Sequence, residues 1–117
     1  PAAKALALKT GAAVLVTGET DYITDGTRTI TCTNGHEIMT RVTGVGCAMG
    51  GLCAACMAVA NSAMEAAVAT AAILGLAGER AAAQHRHPGT FAAALLDELD
   101  KLTPKDLQNN ARLADAP

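Results

Sequence analysis

The sequence has very few aromatic residues and no excess of positive charge. Aromatic residues make up 2% of the 117 residues, tryptophan is absent, and the formal net charge is -2. Proteins that bind single-stranded nucleic acid stack bases on aromatic side chains, and proteins that bind duplexes present a basic face. This chain offers neither feature, so we expect it not to bind nucleic acid.

Charge and cysteine are also scarce, whereas small aliphatic residues are abundant. Half of the residues are hydrophobic and 17% are charged, which excludes an intrinsically disordered chain. The length predicts at most one globular domain. Four cysteines are too few for a small secreted disulfide scaffold, and the chain opens without the features of a signal peptide. We therefore expect reduced thiols and a cytoplasmic protein.

No charged residue occurs between Val42 and Met64, and this length reaches that of a membrane-spanning helix. The segment is interrupted by several glycines and by Asn61 and Ser62, and alanine dominates it rather than leucine or isoleucine. We therefore predict a glycine loop followed by a buried helix, with no membrane contact.

The first third of the chain predicts a helix and several short strands. Residues 2–9 predict a helix that ends at Gly11. The apolar run 13–16 predicts a strand covered on both faces, as in a parallel sheet. The turn dipeptide Asp25-Gly26 predicts a hairpin, and a second turn extends it into a meander. The strands predicted for this meander are residues 22–24, 27–32 and 37–40.

The remainder of the chain predicts four helices and hence an α/β fold. The first covers residues 48–60, and a capping box of Ser62 and Glu65 opens the second, which reaches Gln84. The third is predicted to be capped by Thr90, and the fourth begins at Pro104. Along the third helix we predict an apolar face formed by Leu95, Leu96 and Leu99. The charged residues of the same helix, Asp97, Glu98, Asp100 and Lys101, are predicted to form a solvated face.

A glycine loop, residues 44–47, precedes the first of these helices. Gly44 and Gly46 would let a ligand approach the backbone closely, and the N–H groups of a helix start favour an anion, most often a phosphate. The same spacing also occurs in a tight turn that merely enters a helix. Cys47 would lie where the helix dipole lowers a thiol pKa, so it could serve as a nucleophile, a proton acceptor or a small buried residue.

Polar residues also follow the predicted strand 13–16 directly. Ligands of open α/β sheets collect beyond the carboxyl ends of strands, where Thr17 could offer its hydroxyl to a phosphate. Glu19 and Asp21 could face a metal ion or solvent, and an ordinary polar strand end is the alternative. His36 is predicted to be a turn residue rather than a general base.

Cys53 and Cys56 have the C-x-x-C spacing of zinc and redox sites. They lie inside a predicted apolar helix without a second cysteine pair, and the spacing places both sulfurs on one helix face. We predict that they pack in the interior. A zinc or redox binding module that uses these two thiols remains the alternative from another functional class.

Three segments of the sequence, residues 15–26, 34–47 and 88–97, resemble the second half of hydroxyethylthiazole kinases. The resemblance covers nearly all of the chain and is most specific from residue 34 through residue 47. It implies that residues 1–117 are the C-terminal half of a single ribokinase-like domain, a three-layer α/β sandwich. It also implies an enzyme that uses ATP and Mg2+ to phosphorylate the hydroxyl of 4-methyl-5-(2-hydroxyethyl)thiazole in thiamine biosynthesis, and that assembles as a homotrimer.

The resemblance also implies roles for individual residues. Thr17 and Gly46 are expected to bind ATP, with Gly46 in an anion hole around the transferred phosphate, and Gly44 is expected to line the thiazole pocket. Cys47 stands where most ribokinase-like enzymes hold an aspartate as catalytic base. A thiol is a poor base toward an alcohol, so the expected role of Cys47 is orientation.

The first half of such a domain, which would supply a phosphate-binding arginine and the acidic residues around magnesium, is not part of this sequence. We therefore expect a fragment that is inactive by itself. A hydroxymethylpyrimidine kinase, whose loop also ends in Gly-x-Gly-Cys, is the alternative within the superfamily. A catalytically silent interaction domain that binds no ATP is a further alternative.

Overall fold

The fold is a four-stranded sheet with helices packed against it, in a computed structural model that describes all 117 residues. The strands are β1 (Val14–Val16), β2 (Asp21–Thr24), β3 (Thr29–Cys32) and β4 (Leu113–Ala116), in the spatial order β1-β2-β3-β4. All neighbouring strands are antiparallel. The helices are α1 (Ala2–Thr10), α2 (Val45–Val59), α3 (Ala63–Gln84), α4 (Pro88–Lys101) and α5 (Pro104–Asn110), with a short 3-10 helix at Glu37–Arg41. The predicted α/β class is confirmed.

Local sequence signals account for several of these boundaries. The hairpin between β2 and β3 turns at Gly26, whose φ is 95°, while the Asp25 carboxylate accepts the N–H groups of Thr27 and Arg28 at 2.8 Å each. α1 ends at Gly11 in the left-handed conformation, as predicted. The N-cap of α3 is confirmed because the Ser62 hydroxyl accepts the N–H of Glu65 at 3.1 Å.

The third strand of the predicted meander is wrong, because residues 37–40 belong to the 3-10 helix. Gly35 has a φ of 135°, which takes the chain out of the sheet, and His36 Nδ1 then accepts the N–H of Ile38 at 3.2 Å. Ile38 turns into the cluster of buried side chains that joins α3 and α4. The edge position beside β3 is taken instead by β4, whose alanines and aspartate are poor strand formers and give no local signal.

The expectation that β1 belongs to a parallel sheet is also wrong for this chain, because β2 runs antiparallel to it. β1 has one neighbour, β2, and its residues are half-buried apart from Val16, which is exposed. Val16 pairs with Tyr22 across the two strands, and Tyr22 is exposed as well. One sheet edge and part of one sheet face are therefore open to solvent.

The core is built around α3, which packs between the sheet and the other helices. Ile23 and Cys32 of the sheet pack against Ala67, Ala71 and Ala72, and a second cluster centred on Leu74, Phe91 and Leu95 joins α3 to α4. By length and composition α3 could cross a membrane, but 67% of its apolar window is buried inside this fold. The guanidinium of Arg80 anchors α5 at 2.7 Å from Asp106 and lowers the pKa of that carboxyl to about 2.

Three predictions for the helices need correction. α2 begins at Val45 rather than at residue 48. Cys56 is the one buried residue of this helix, and Met57 and Val59 are exposed, so the helix lies at the surface rather than in the interior. His87 rather than Thr90 is the N-cap of α4. On α4, Leu96 was predicted on the apolar face but is exposed, and Glu98 was predicted on the solvated face but is buried. The Glu98 carboxylate lies 3.1 Å from Lys101 Nζ.

Gly75 is a position of close packing that leads to a stability prediction. A Cβ at Gly75 would lie 2.7 Å from the carbonyl oxygen of Asn34, which is backbone and cannot rotate away, whereas a Cβ at Gly50 would meet nothing within 4 Å. We expect Gly75→Ala to lower the free energy of unfolding by about 2 kcal/mol. The control Gly50→Ala should raise it by up to about 1 kcal/mol, because alanine favours a helix interior. Urea unfolding of both variants checks this, and equal stabilities would contradict the packing.

Candidate functional site

A cavity of about 910 Å³ opens between the sheet and the helices. One wall is the β1–β2 turn, with Thr17, Gly18 and Asp21, and a second is the segment that links β3 to the 3-10 helix. The first turn of α2 and the middle of α3 close the remaining sides. The cavity therefore lies beyond the carboxyl end of β1, where the sequence analysis expected a ligand.

The structure brings together two of the four predicted site residues. Thr17 and Gly46 both line the cavity, although 29 positions apart in the chain, whereas Gly44 and Cys47 do not line it. Gly44 is the N-cap of α2 with a φ of 97°, a conformation that favours glycine, and the Cys47 side chain is exposed. Within this chain Cys47 therefore does not face the cavity that Gly46 borders.

The start of α2 offers free backbone donors beside the cavity. The helix begins at Val45, and the carbonyl oxygen of its N-cap, Gly44, accepts the N–H of Ala48 at 2.9 Å. No side chain caps the preceding N–H groups, which include that of Gly46. Free N–H groups and the positive end of the helix dipole favour an anion at this position.

Asp21 holds the opposite wall. Asp21 is 8% exposed, and its carboxylate accepts the N–H of Gly18 at 3.0 Å, which closes the turn that carries Thr17. Burial raises the pKa of Asp21, and the hydrogen bond from Gly18 acts against this shift. From the sequence, Asp21 was predicted to face a metal ion or solvent. In the structure its carboxylate binds the backbone N–H of Gly18.

Asn34 connects the wall after β3 to two distant elements, a connection that the sequence analysis missed. Its Oδ1 accepts the N–H of Arg112 at 2.7 Å, and its Nδ2 donates to the carbonyl oxygen of Asn110 at 3.1 Å and to Glu79 Oε2 at 3.3 Å. The sequence separations of 45 to 78 positions leave no local signal for these contacts. The sequence around Asn34 indicates only a turn at Asn34-Gly35. His36 follows this turn, as predicted.

The four cysteines are all free. Cys53 and Cys56 lie inside α2, where Cys56 is buried and Cys53 half-buried, in agreement with the predicted packing. Burial raises the pKa of Cys32, whose side chain packs between β3 and α3.

The structure contains no group of three or more His, Cys, Asp or Glu side chains that could hold a metal ion. Mg2+ requires oxygen ligands, and the cavity carboxylates Glu19, Asp21 and Glu37 do not form such a group. This chain by itself therefore supplies no cluster of three such ligands, whereas one or two carboxylates together with phosphate oxygens and water are the usual magnesium ligands.

Comparison with known proteins gives a consistent set of similarities. A family model described as the hydroxyethylthiazole kinase family matches residues 1–105. The chain is 57% identical over 111 residues to a hydroxyethylthiazole kinase of Akkermansia muciniphila, covering 95% of this chain and 41% of that protein. It is 47% identical over 112 residues to a hydroxyethylthiazole kinase of Cereibacter sphaeroides, covering 96% of this chain and 42% of that protein.

A solved structure agrees with the sequence comparisons. The structure of a hydroxyethylthiazole kinase protein from Pyrococcus horikoshii superimposes with a TM-score of 0.93 at 32% identity, covering 98% of this chain and 45% of that chain. The chain thus spans about two fifths of the length of the curated relatives it matches. All three of these proteins carry the name hydroxyethylthiazole kinase.

Proposed function

The chain belongs to the hydroxyethylthiazole kinase family, and from this premise we propose that it supplies one part of a site where ATP phosphorylates the hydroxyl of 4-methyl-5-(2-hydroxyethyl)thiazole. The observation that carries the proposal is that Thr17 and Gly46 border the same cavity. These are the two residues for which the family resemblance implies contacts with ATP. The proposal treats residues 1–117 as the C-terminal half of a single ribokinase-like domain.

In the proposed site the phosphates of ATP lie between Thr17 and the start of α2. The free N–H groups at Gly46 would donate to the transferred phosphoryl group, and the Thr17 hydroxyl would donate from the facing wall. Phosphoryl transfer depends mainly on positioning and on stabilisation of charge, which fixed backbone donors provide without reorganisation. The thiazole alcohol would enter from the side of Gly44.

Cys47 is proposed to orient the alcohol rather than to remove its proton. A thiolate is a far weaker base than the alkoxide that deprotonation of an alcohol would produce, so a thiol removes such a proton poorly. The Cys47 side chain is exposed in this chain, so an acceptor that contacts it would also contact a surface outside the cavity. Such a surface could be provided by residues beyond the 117 described.

Several further properties belong to the same proposal. Mg2+ would arrive on the phosphates of ATP, and the acidic residues that the family resemblance assigns to the first half of the domain would supply its protein ligands. A cytoplasmic homotrimer is proposed as the working assembly. The open edge of β1 and the exposed side chains of Leu6, Leu8, Val16 and Tyr22 are the surfaces that additional chain would cover.

A chimera tests the proposed function. This chain would replace the segment that it matches in the A. muciniphila relative, and the product would be assayed with ATP and either alcohol. We expect turnover of the thiazole alcohol within about 10-fold of the parent enzyme, since uniform replacement of a homologous segment keeps the site geometry. A folded chimera that leaves the thiazole unchanged, or that phosphorylates only hydroxymethylpyrimidine, would contradict the proposal.

A further inference from the structure

Glu79 stands behind the cavity wall formed by residues 34–37 and does not itself line the cavity. It lies on α3, and its carboxylate is the acceptor for the N–H of Gly35 at 3.0 Å and for Asn34 Nδ2 at 3.3 Å. Two consecutive residues of the wall therefore depend on one side chain from another element.

This wall has no regular secondary structure of its own to hold it. β3 ends at Cys32 and the 3-10 helix begins at Glu37, while Gly35 adopts a φ of 135°. The N–H of Gly35 has Glu79 as its hydrogen-bond partner. Because a buried N–H group without a partner is costly, the carboxylate favours the conformation in which Gly35 points toward α3.

Arg112 fixes the carboxylate from the other side. Its guanidinium forms an ion pair with Glu79 and donates to the carbonyl oxygen of Thr33 at 2.7 Å, immediately before the wall. Arg112 lies beyond residue 105, where the match to the family model ends. The last residues of the chain thus contribute to the wall through Glu79 and Asn34.

We propose that Glu79, held by Arg112, is a positioning residue that sets the conformation of residues 34–37 and thereby the shape of the ligand cavity. The identity of the ligand rests on the proposed function, whereas the conformation of the wall does not. Although burial alone would raise the pKa of Glu79, the hydrogen bonds from Arg112, Gly35 and Asn34 outweigh burial and lower it. Glu79 is therefore ionised near neutral pH and accepts charge-assisted hydrogen bonds.

The test follows the amide of Gly35 in the 117-residue chain by NMR. Glu79→Ala should speed hydrogen exchange of this amide by about 10-fold, the order of protection that one charge-assisted hydrogen bond confers. Glu79→Gln keeps an acceptor oxygen and should retain part of the protection. The amide of Gly18 on the opposite wall is the internal reference. Glu98→Gln is the matched control, because Glu98 is also a helix glutamate that is paired with a cation, but it lies on α4.

A pH titration keeps the proposal testable if Glu79→Ala fails to fold. In the parent chain the chemical shift of the Gly35 amide should move as the Glu79 carboxyl titrates, with a midpoint below the pKa of a free glutamate, and this movement should be absent in Glu79→Gln. The ionisable groups that face Glu79 are Arg112 and the thiol of Cys32, and neither titrates in that range. If the pH-dependent shift of the Gly35 amide were the same in Glu79→Gln as in the parent chain, or if Glu98→Gln altered it equally, the proposal would be overturned.

The chimera adds a functional readout that separates the two proposals. Glu79→Gln in the chimera should raise the KM for ATP or for the alcohol by about 5-fold while kcat stays within about 2-fold, because a displaced wall weakens binding before it affects the transferred group. An inactive parent chimera would contradict the proposed function, and the Gly35 measurements would still decide the role of Glu79.

Discussion

Gly46→Val is expected to lower kcat/KM of the chimera for the thiazole alcohol by about 100-fold or more, the order of effect seen when one anion-stabilising donor is lost. Gly46 lies in the first turn of α2 and borders the cavity. In the proposed site its N–H group faces the transferred phosphate. Two added methyl groups would occupy the space that the phosphate needs and would hold the phosphate away from the backbone donors.

The loss should be specific to the ligand because the fold has room for the side chain. A Cβ at Gly46 would meet nothing within 4 Å, and Gly46 has no positive φ. The free energy of unfolding should therefore change by less than about 1 kcal/mol, because glycine and valine differ by less than this amount in helix propensity. Steady-state kinetics with ATP and the alcohol, together with urea unfolding, measure the two effects separately.

Gly50→Val is the matched control for this substitution. Gly50 lies one turn further along α2, also has open space around it, and does not line the cavity. We expect its kcat/KM to stay within about 3-fold of the parent chimera, as for a surface substitution away from the site. Retained turnover in Gly46→Val, or an equal loss in both variants, would exclude an anion site at Gly46.

The features that could be predicted from the sequence are those whose cause lies within a few residues. Gly11 ends α1, and Asp25-Gly26 turns the hairpin. At the start of α5, Thr103 and Asp106 cap each other reciprocally. In each case the hydrogen bonds join residues at most four positions apart, so the local pattern contains both partners.

The features that were missed depend on contacts between distant parts of the chain. Residues 37–40 follow the turn at Asn34-Gly35 and were predicted as the next strand of the meander, but Ile38 packs against α3 and α4, and this tertiary contact favours a 3-10 helix. β4 forms because β3 offers a free edge and the Arg28 guanidinium lies 2.7 Å from the Asp115 carboxylate. The sequence of residues 113–116 does not indicate that this segment pairs with β3 or that Asp115 contacts Arg28.

The candidate site divides in the same way. Thr17 and Gly46 could be found because each follows a local rule, one at the end of a strand and the other at the start of a helix, and the structure brings both to one cavity. Asn34 and Glu79, which support the cavity wall, are 45 positions apart and have no motif in common. The sequence therefore indicated the predicted ligand contacts but not the residues that hold them in place.

Asn34→Asp is expected to lower the free energy of unfolding by about 3 kcal/mol at pH 7, the largest stability effect that we predict for a single substitution. Asn34 is 5% exposed, and its Nδ2 donates to the Glu79 carboxylate and to the carbonyl oxygen of Asn110. An aspartate has nearly the same shape but replaces this donor by a charged acceptor. Two carboxylates would then face each other in a partly buried space, with only Arg112 between the charges.

The sign of the pH dependence distinguishes this repulsion from a loss of packing. The new carboxyl beside Glu79 would have a higher pKa in the folded state than in the unfolded state, so it destabilises the fold above the unfolded value of about 3.9. As the pH falls through the raised folded-state pKa toward about 3.9, protonation in the folded state removes the charge and restores a donor. The difference in stability between Asn34→Asp and the parent chain should therefore shrink from pH 7 to pH 4. Because the pKa of Glu79 is lowered, its own stabilising contribution is lost only as the pH falls below the pKa of a free glutamate.

Urea unfolding of both chains at pH 7, 5 and 4 measures this difference, with Asn109→Asp as the control. Asn109 is exposed on α5, so the same change of an amide to a carboxylate should alter stability there by less than about 0.5 kcal/mol at every pH. If Asn34→Asp were as stable as the parent at pH 7, the Asn34 amide would not donate to Glu79 in solution. A deficit that stayed constant with pH would indicate lost packing rather than repulsion between two carboxylates, because packing does not depend on protonation.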